Sequence, residues 1–338
     1  MAAGPAVAVV TLITALAATQ AAGVPFRDPD HAAGVYLAIV VGLVLVLVTV
    51  DVIVRAGRRT GVLWPSREAM REVREERWNR RRAVAVAGAL IGFYLTYLAY
   101  RNLKSVVPLL RPGELFDRQL AEVDRALFGG TDPAALVHGL LGTGFSTEVL
   151  SVIYVGFIAF LPLSLAYAVV FSPNLPGGLF FTTALSINWP LGALSYVLLP
   201  ALGPIYYMPT WFADLPATEA TRLQGVLLAD RLAFLRDPAV DGTAQAIAAF
   251  ASLHVSMIFT AAVAAHLLGL NRRLRIGLWV LLAVTTVATI HLGWHYVVDD
   301  HAGVVLGATA LALAGRLTGF ELRTTRQRRV RATSLKPG

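Results

Sequence analysis

Apolar residues fall into eight long runs, at roughly 5–22, 33–54, 83–100, 149–171, 178–200, 252–269, 276–294 and 301–316. About 18 or more consecutive apolar residues are enough to cross a bilayer as a helix. The pattern predicts an all-α fold, a polytopic membrane helical bundle of about eight transmembrane helices. Residues 67–82 read as a solvated amphipathic helix joining the second and third spans. Two short interfacial helices are expected near 114–128 and 132–142, on the side opposite that linker. The long segment 201–246, on that same side, is rich in proline and aromatic residues, among them Pro204, Tyr206, Tyr207, Pro209 and Trp211. The last run is short and glycine-rich, so it must pack among neighbours. The first lacks a positive n-region and reads as a retained helix, although an Ala-x-Ala-like stretch near residue 17 leaves cleavage open.

Composition agrees with this picture. Of 338 residues, 56% are hydrophobic and 15% charged, against about 25% charged in soluble proteins. The absence of cysteine excludes disulfides, iron–sulfur clusters, and cysteine-based zinc sites or nucleophiles. The formal net charge of +8 is unevenly placed, with 20 of the 29 Lys and Arg in 55–82, 270–275 and 316–336. With eight spans these segments share one side with both termini, and the positive-inside rule makes that side cytoplasmic. The basic balance thus marks topology and contact with anionic headgroups rather than nucleic acid. The alanine- and arginine-rich usage suggests a bacterial plasma membrane. The expected organisation is N-terminal helices and a basic linker over 1–82, a catalytic membrane core over 83–320, and a basic tail over 321–338.

Ionisable residues at the ends of spans are costly and often functional, and three such clusters fall on the outer side. The first, Ala251-Ser252-Leu253-His254-Val255-Ser256, opens the sixth span. Ser252 is a natural N-cap, and a helix N-terminus offers free N–H groups to an anion. The second is His291-Leu-Gly-Trp-His295-Tyr-Val-Val-Asp299-Asp300-His301. His295 and Asp299, four apart, would share a helical face, and His291 would extend that stripe by one turn. A carboxylate beside an imidazole fixes its tautomer and raises its basicity, which suits a nucleophile or general base. The same His-x3-His and Asp set also has metal-ligand chemistry. The third is Tyr100-Arg101-Asn102-Leu103-Lys104, followed by Arg111-Pro112, where two or three cations can clamp a phosphate.

Together the clusters supply a nucleophilic histidine with its carboxylate, a second histidine, and phosphate-binding cations at one membrane face. They resemble the type 2 phosphatidic acid phosphatase superfamily, whose motifs are K-x6-R-P, P-S-G-H and S-R-x5-H-x3-D. This chain has Lys104-x6-Arg111-Pro112, Ala251-Ser252-Leu253-His254 and His295-x3-Asp299. The Ser-Leu-His-Val-Ser and His-Tyr-Val-Val-Asp-Asp forms, with Pro200-Ala-Leu-Gly-Pro204, are similar to the inositol phosphorylceramide synthase-like branch. The resemblance covers roughly 94–307. It implies that His295 attacks phosphorus, Asp299 orients it, and His254 protonates the leaving oxygen and then activates water or an alcohol. Lys104, with Arg101 or Arg111, would hold phosphate oxygens, aided by Ser252 and backbone N–H groups. Two departures stand out. The Ser-Arg of the third motif falls on Ala288 and Thr289, and 138 residues separate Pro112 from Ala251. Arg231, Arg236, Tyr206 and Tyr207 are therefore candidate acceptor or headgroup contacts.

The expected activity is a lipid phosphatase or phosphotransferase acting through a phosphohistidine at the outer membrane face. Its substrate would be a lipid phosphate or phospholipid, with a sugar, inositol or lipid alcohol as candidate acceptor. No cofactor and no metal are required, because cations and helix N–H groups can neutralise phosphoryl charge. A proton-coupled transporter or flippase using the His/Asp stripe is the alternative. It would place ionisable residues near midplane on paired broken helices.

Overall fold

The computed structural model describes residues 3–28, 31–172, 174–239 and 244–321. Nearly all of the expected basic tail lies outside them. The described chain is helical throughout, with helices α1 (Ala3–Ala21), α2 (Ala32–Thr60), α3 (Arg67–Arg77), α4 (Arg80–Leu110), α5 (Asp117–Leu127), α6 (Pro133–Leu141) and α7 (Phe145–Val155). After them come α8 (Phe157–Phe171), α9 (Leu175–Leu198), the short α10 (Pro204–Tyr207), α11 (Glu219–Arg236), α12 (Leu253–Leu267), α13 (Arg272–His291) and α14 (Val297–Thr318). Among the described residues, α1, α2, α4, the α7–α8 pair, α13 and α14 are long and apolar enough to cross a membrane. α12 is apolar but shorter, at 15 residues. α9 has 24 residues and carries Thr182, Thr183, Ser186 and Asn188 on its buried surface. These polar groups lower its mean hydropathy; Thr182 and Ser186 donate to carbonyls of α9 itself, and Asn188 also reaches α12.

Three boundaries differ from the sequence expectation. The third span runs on to Leu110, so Arg101 and Lys104 lie within α4 instead of beyond its end. Between them, Asn102 is tied to the 23–28 link. Its side-chain amide donates to the Arg27 carbonyl at 2.8 Å, and its carbonyl accepts the Arg27 N–H at 3.0 Å. The fourth span is broken at Gly156, between α7 and α8. The long outer segment holds an 18-residue helix, α11, started by a Thr218 and Thr221 capping box.

Two contacts set the geometry of the core. α14 packs on α12 through Gly303 and Gly307, a small-x-x-x-small spacing that permits close backbone approach. A Cβ on Gly303 would sit 2.5 Å from the Ser252 carbonyl oxygen, and one on Gly307 would sit 2.7 Å from that of Ser256. α9 is joined to α12 by polar groups: the Ser256 hydroxyl donates to Asn188 Oδ1, and Asn188 Nδ2 donates to Thr260 Oγ1 at 3.2 Å. The α14 contact brings the start of α12, with His254, beside the start of α14, with His295.

Candidate active site

His295 lies in the turn between α13 and α14. α13 ends at His291, Gly293 adopts φ +71, and α14 begins only at Val297. The expected single stripe of His291, His295 and Asp299 is therefore interrupted. His291 is fully buried elsewhere, with its Nε2 2.8 Å from Thr147 Oγ1 and its ring 4.6 Å from that of His138. His295 and Asp299 do meet across the helix start. Asp299 Oδ2 is 3.5 Å from His295 Nδ1 and accepts the Tyr296 N–H at 2.9 Å, closing a capping box.

Asp300 is a third member that the sequence motif does not specify. Thr289, at the position of the family's motif arginine, donates to Asp300 Oδ2 at 2.8 Å, and Ser252 also hydrogen-bonds this carboxylate. Burial pushes the His295 imidazole down to about 4; Asp300 opposes that shift and Lys104 adds to it. Asp299 is the nearer carboxylate, yet Asp300 supplies the negative charge that acts on the ring. Asp299 Oδ2 is committed to the Tyr296 N–H and Asp300 Oδ2 to Thr289, while the Oδ1 atoms of both carboxylates have no hydrogen-bond partner.

His254 is the second residue of α12. Its ring stacks on Tyr154 at 4.3 Å and 21°, contacts Phe157 at 4.2 Å, and lies 6.1 Å from the His295 ring. Trp294 stacks on the far face of Tyr154 at 4.9 Å and 9°. Tyr154 and Phe157, three positions apart across Gly156, share a helical face and contact the same imidazole. Ser252 is fully buried, and its hydroxyl accepts the Val255 N–H at 3.5 Å as N-cap.

The basic candidates separate in space. The Lys104 ammonium lies over the rings of Tyr100 and Tyr196, at 5.8 and 5.2 Å, and acts electrostatically on both histidines. Arg101 points to Asp28 at 3.5 Å. Arg111 is held by Glu114, with its Nε donating at 3.0 Å, and by the Val197 carbonyl at 2.7 Å. Arg231 donates to Gln245 Oε1 at 3.1 Å, and Gln245 Nε2 donates to the Lys104 carbonyl at 2.8 Å. Burial lowers the Arg231 guanidinium. Arg231, Arg111, Tyr196 and Gln245 line a cavity of about 380 Å³ beside Lys104. Arg236 is exposed at the end of α11. Tyr206 donates to the Gln224 carbonyl at 3.2 Å, and Tyr207 is largely exposed.

Two carboxylates of α5 hold the scaffold and carry no sequence signal near the histidines. Asp117 accepts the N–H groups of Leu202 and Gly203, at 2.9 and 2.8 Å, and the Tyr296 hydroxyl at 3.1 Å. Asp124 accepts the N–H groups of Val297 and Val298 at 2.7 and 3.0 Å. Gly203, at φ +102, has no room for a side chain: a Cβ would lie 2.5 Å from the Trp294 carbonyl oxygen. The 200–204 segment is thereby clamped beneath the turn that carries His295. A separate aromatic pocket of about 120 Å³, lined by Tyr97, Phe157 and Trp189 among others, sits between α2, α4, α8 and α9.

A pair of imidazoles, two buried carboxylates and an ammonium thus gather at one end of the bundle. A family model described as the PAP2 superfamily matches residues 118–313, more than half of the sequence. The chain belongs to the PAP2 superfamily, and membership supports phosphatase-type chemistry on lipid phosphates. The match begins beyond Lys104, Arg111 and Pro112 and includes both histidine clusters. Comparisons with curated proteins and with solved structures gave no match.

Proposed function

We propose that the protein is a metal-independent lipid phosphatase or phosphotransferase that works through a phosphohistidine on His295. The observation that carries this reading is the juxtaposition of the His254 and His295 rings, 6.1 Å apart, with Lys104 acting on both. The His295 lone pair attacks phosphorus, and the bond from phosphorus to the leaving oxygen breaks. Protonated His254 gives that oxygen its proton. Neutral His254 then takes a proton from water or an alcohol as its oxygen attacks, and the phosphorus–nitrogen bond breaks. Asp299 orients His295, as an orienting carboxylate does in other base-assisted nucleophiles. Lys104, Ser252 and the free N–H groups at the start of α12 hold the phosphoryl oxygens.

The aromatic pocket beside Phe157 and Trp189 suits the apolar chain of a lipid substrate. The 380 Å³ cavity lined by Arg231 suits a hydroxylated acceptor, which favours transfer, and with it the inositol phosphorylceramide synthase-like branch. The uneven basic charge supports a site on the periplasmic or extracellular face, with the termini inside.

The test is phosphate release by purified protein in detergent with EDTA, from a panel of lipid phosphates and phosphodiester lipids. It is run with and without inositol or sugar acceptors, and with His295→Ala as the blank. Release of inorganic phosphate without acceptor identifies a phosphatase. A new phosphodiester formed only with an alcohol identifies a transferase. Turnover that survives in His295→Ala would remove the phosphohistidine.

A further inference from the structure

A second charged cavity, of about 690 Å³, lies at the other end of the bundle. Lys104 and Arg82 are 22 positions apart on α4, which is about 33 Å at 1.5 Å per residue. This cavity is bounded by α1, α2, α3, α4 and α9, and five arginines line it: Arg55, Arg59, Arg77, Arg81 and Arg82. Their charge is only partly balanced. Asp51, behind the wall, takes Arg55 at 2.7 Å and Arg77 at 2.8 Å, and Glu76 takes Arg59 at 2.6 Å. Three positive charges remain.

Arg82 shows that this excess is built in. Its side chain is 7% exposed, and burying a guanidinium is costly without partners. One end is engaged, with Nη2 donating to the Val169 carbonyl at 3.0 Å and the guanidinium over the Trp78 ring at 4.7 Å. Its Nε, also buried, has no hydrogen-bond partner. Thr183, from α9, adds a hydroxyl to the same cavity.

The surroundings identify the kind of anion. An adjoining groove between α1 and α4 shares Pro5 and Arg81 with the basic cavity and continues along Val84, Ala85 and Gly88. It is apolar beyond its arginine rim and lies on helices long enough to cross the membrane. A free phosphate has no use for such a groove, whereas a lipid chain does. Basic pockets between transmembrane helices are recognised sites for anionic headgroups. We propose that the arginine cavity binds the phosphate of an anionic phospholipid, with one acyl chain lying in the Val84–Gly88 groove. This site is separate from the histidines and does not depend on the phosphohistidine reading.

The test uses the full-length chain carrying His295→Ala, so that no probe is turned over. It is purified in detergent and given phosphatidylglycerol or phosphatidylcholine with a photoreactive acyl chain. After crosslinking, peptides are mapped by mass spectrometry. The expected result is labelling of the 80–89 segment, about tenfold stronger with phosphatidylglycerol, and lost when Arg59→Gln and Arg81→Gln are combined. Both of these arginines are exposed, and the single Arg81→Gln variant, expected to weaken labelling severalfold, serves if the pair disturbs folding. Equal labelling by the two lipids would overturn the proposal, as would full labelling in the variants. Competition by millimolar inorganic phosphate as effective as that by unlabelled phosphatidylglycerol would make free phosphate the ligand and overturn the lipid assignment.

Discussion

Asp299 serves His295 and its own helix with the same oxygen: Oδ2 stands 3.5 Å from His295 Nδ1 and accepts the Tyr296 N–H at 2.9 Å. The cap fixes the carboxylate beside the imidazole, whose Nδ1 makes no hydrogen bond of its own. Asn in its place keeps an oxygen for the Tyr296 N–H but removes the charge. Asp299→Asn is therefore expected to lower kcat by about 10²–10⁴-fold, the range for a group that controls proton position at a reacting centre, with an unchanged thermal midpoint in detergent. A variant that keeps near-normal turnover would take Asp299 out of the mechanism.

The acid limb of the pH profile should report His295. Only the neutral ring has the lone pair that attacks phosphorus, and burial holds its pKa down to about 4. Activity is expected to persist through weakly acidic pH and fall with an inflection near 4, well below the ordinary histidine range of about 6.5. Asp300 favours the protonated ring, so Asp300→Asn should move the inflection to lower pH. An unfolded chain takes up this proton first, so the depressed value also makes stability fall as pH drops from about 6.5 toward 4. The initial rate and the melting midpoint from pH 3 to 8, compared with His295→Ala, separate these two effects.

Gly303 is expected to matter through distance alone. A methyl group there would meet the Ser252 carbonyl oxygen at 2.5 Å, so α12 must move away from α14, carrying His254 from His295. Displacements of about 1 Å at a reacting centre cost on the order of 10²-fold. Gly303→Ala should lose activity on that scale, whereas Gly277→Ala on α13, where nothing lies within 4 Å, should not. Equal activity in the two variants would show that the α12–α14 spacing does not set the histidine geometry.

Long apolar helices were legible because apolar length is a direct physical signal, with six of the eight expected spans long and apolar enough to cross a membrane among the described residues, and the His254 and His295 clusters stood out because ionisable residues beside spans are rare. Other features were not legible. Helix α11 mixes apolar and charged residues without a strong stripe, so proline and aromatic neighbours made 201–246 look irregular. The polar group at Arg101, Asn102 and Lys104 looked like the end of a span, when Asn102 in fact pairs with the Arg27 backbone and the helix continues. His291 seemed aligned with His295 because spacing assumes one continuous helix, and the Gly293 turn breaks it. Asp124 lies more than 170 positions from the Val297 and Val298 N–H groups that it binds, and Asp117 as far from the Tyr296 hydroxyl, and no local pattern records such a contact. Which of the adjacent Asp299 and Asp300 would act on the ring also depended on Thr289 and Ser252, which only the fold brings together.

Lys104 should outweigh the other basic residues. It faces the histidines, whereas Arg101 and Arg111 are engaged by Asp28 and Glu114. Lys104→Gln is expected to lower kcat/KM for a lipid phosphate by about 10²–10³-fold, the cost of removing one donor from a charged transition state. Arg101→Gln and Arg111→Gln lose partly exposed ion pairs, which solvent screens strongly, and should change kcat/KM less than tenfold. Reversal of this order would move phosphate binding toward the K-x6-R-P motif as a unit.

Arg231 lines the 380 Å³ cavity together with Tyr196, and its bond to Gln245 couples it to the backbone of Lys104. If the cavity receives an alcohol acceptor, Arg231 and Gln245 are the polar groups that meet its hydroxyls, while the donor lipid is held by Lys104 and the α12 start. Arg231→Gln should then raise KM for the acceptor at least fivefold more than KM for the lipid phosphate. The two constants can be separated by varying each substrate at saturating concentrations of the other. An equal rise in both would place Arg231 on the donor phosphate. No change in either would leave the cavity without a part in transfer, and hydrolysis would become the favoured reaction.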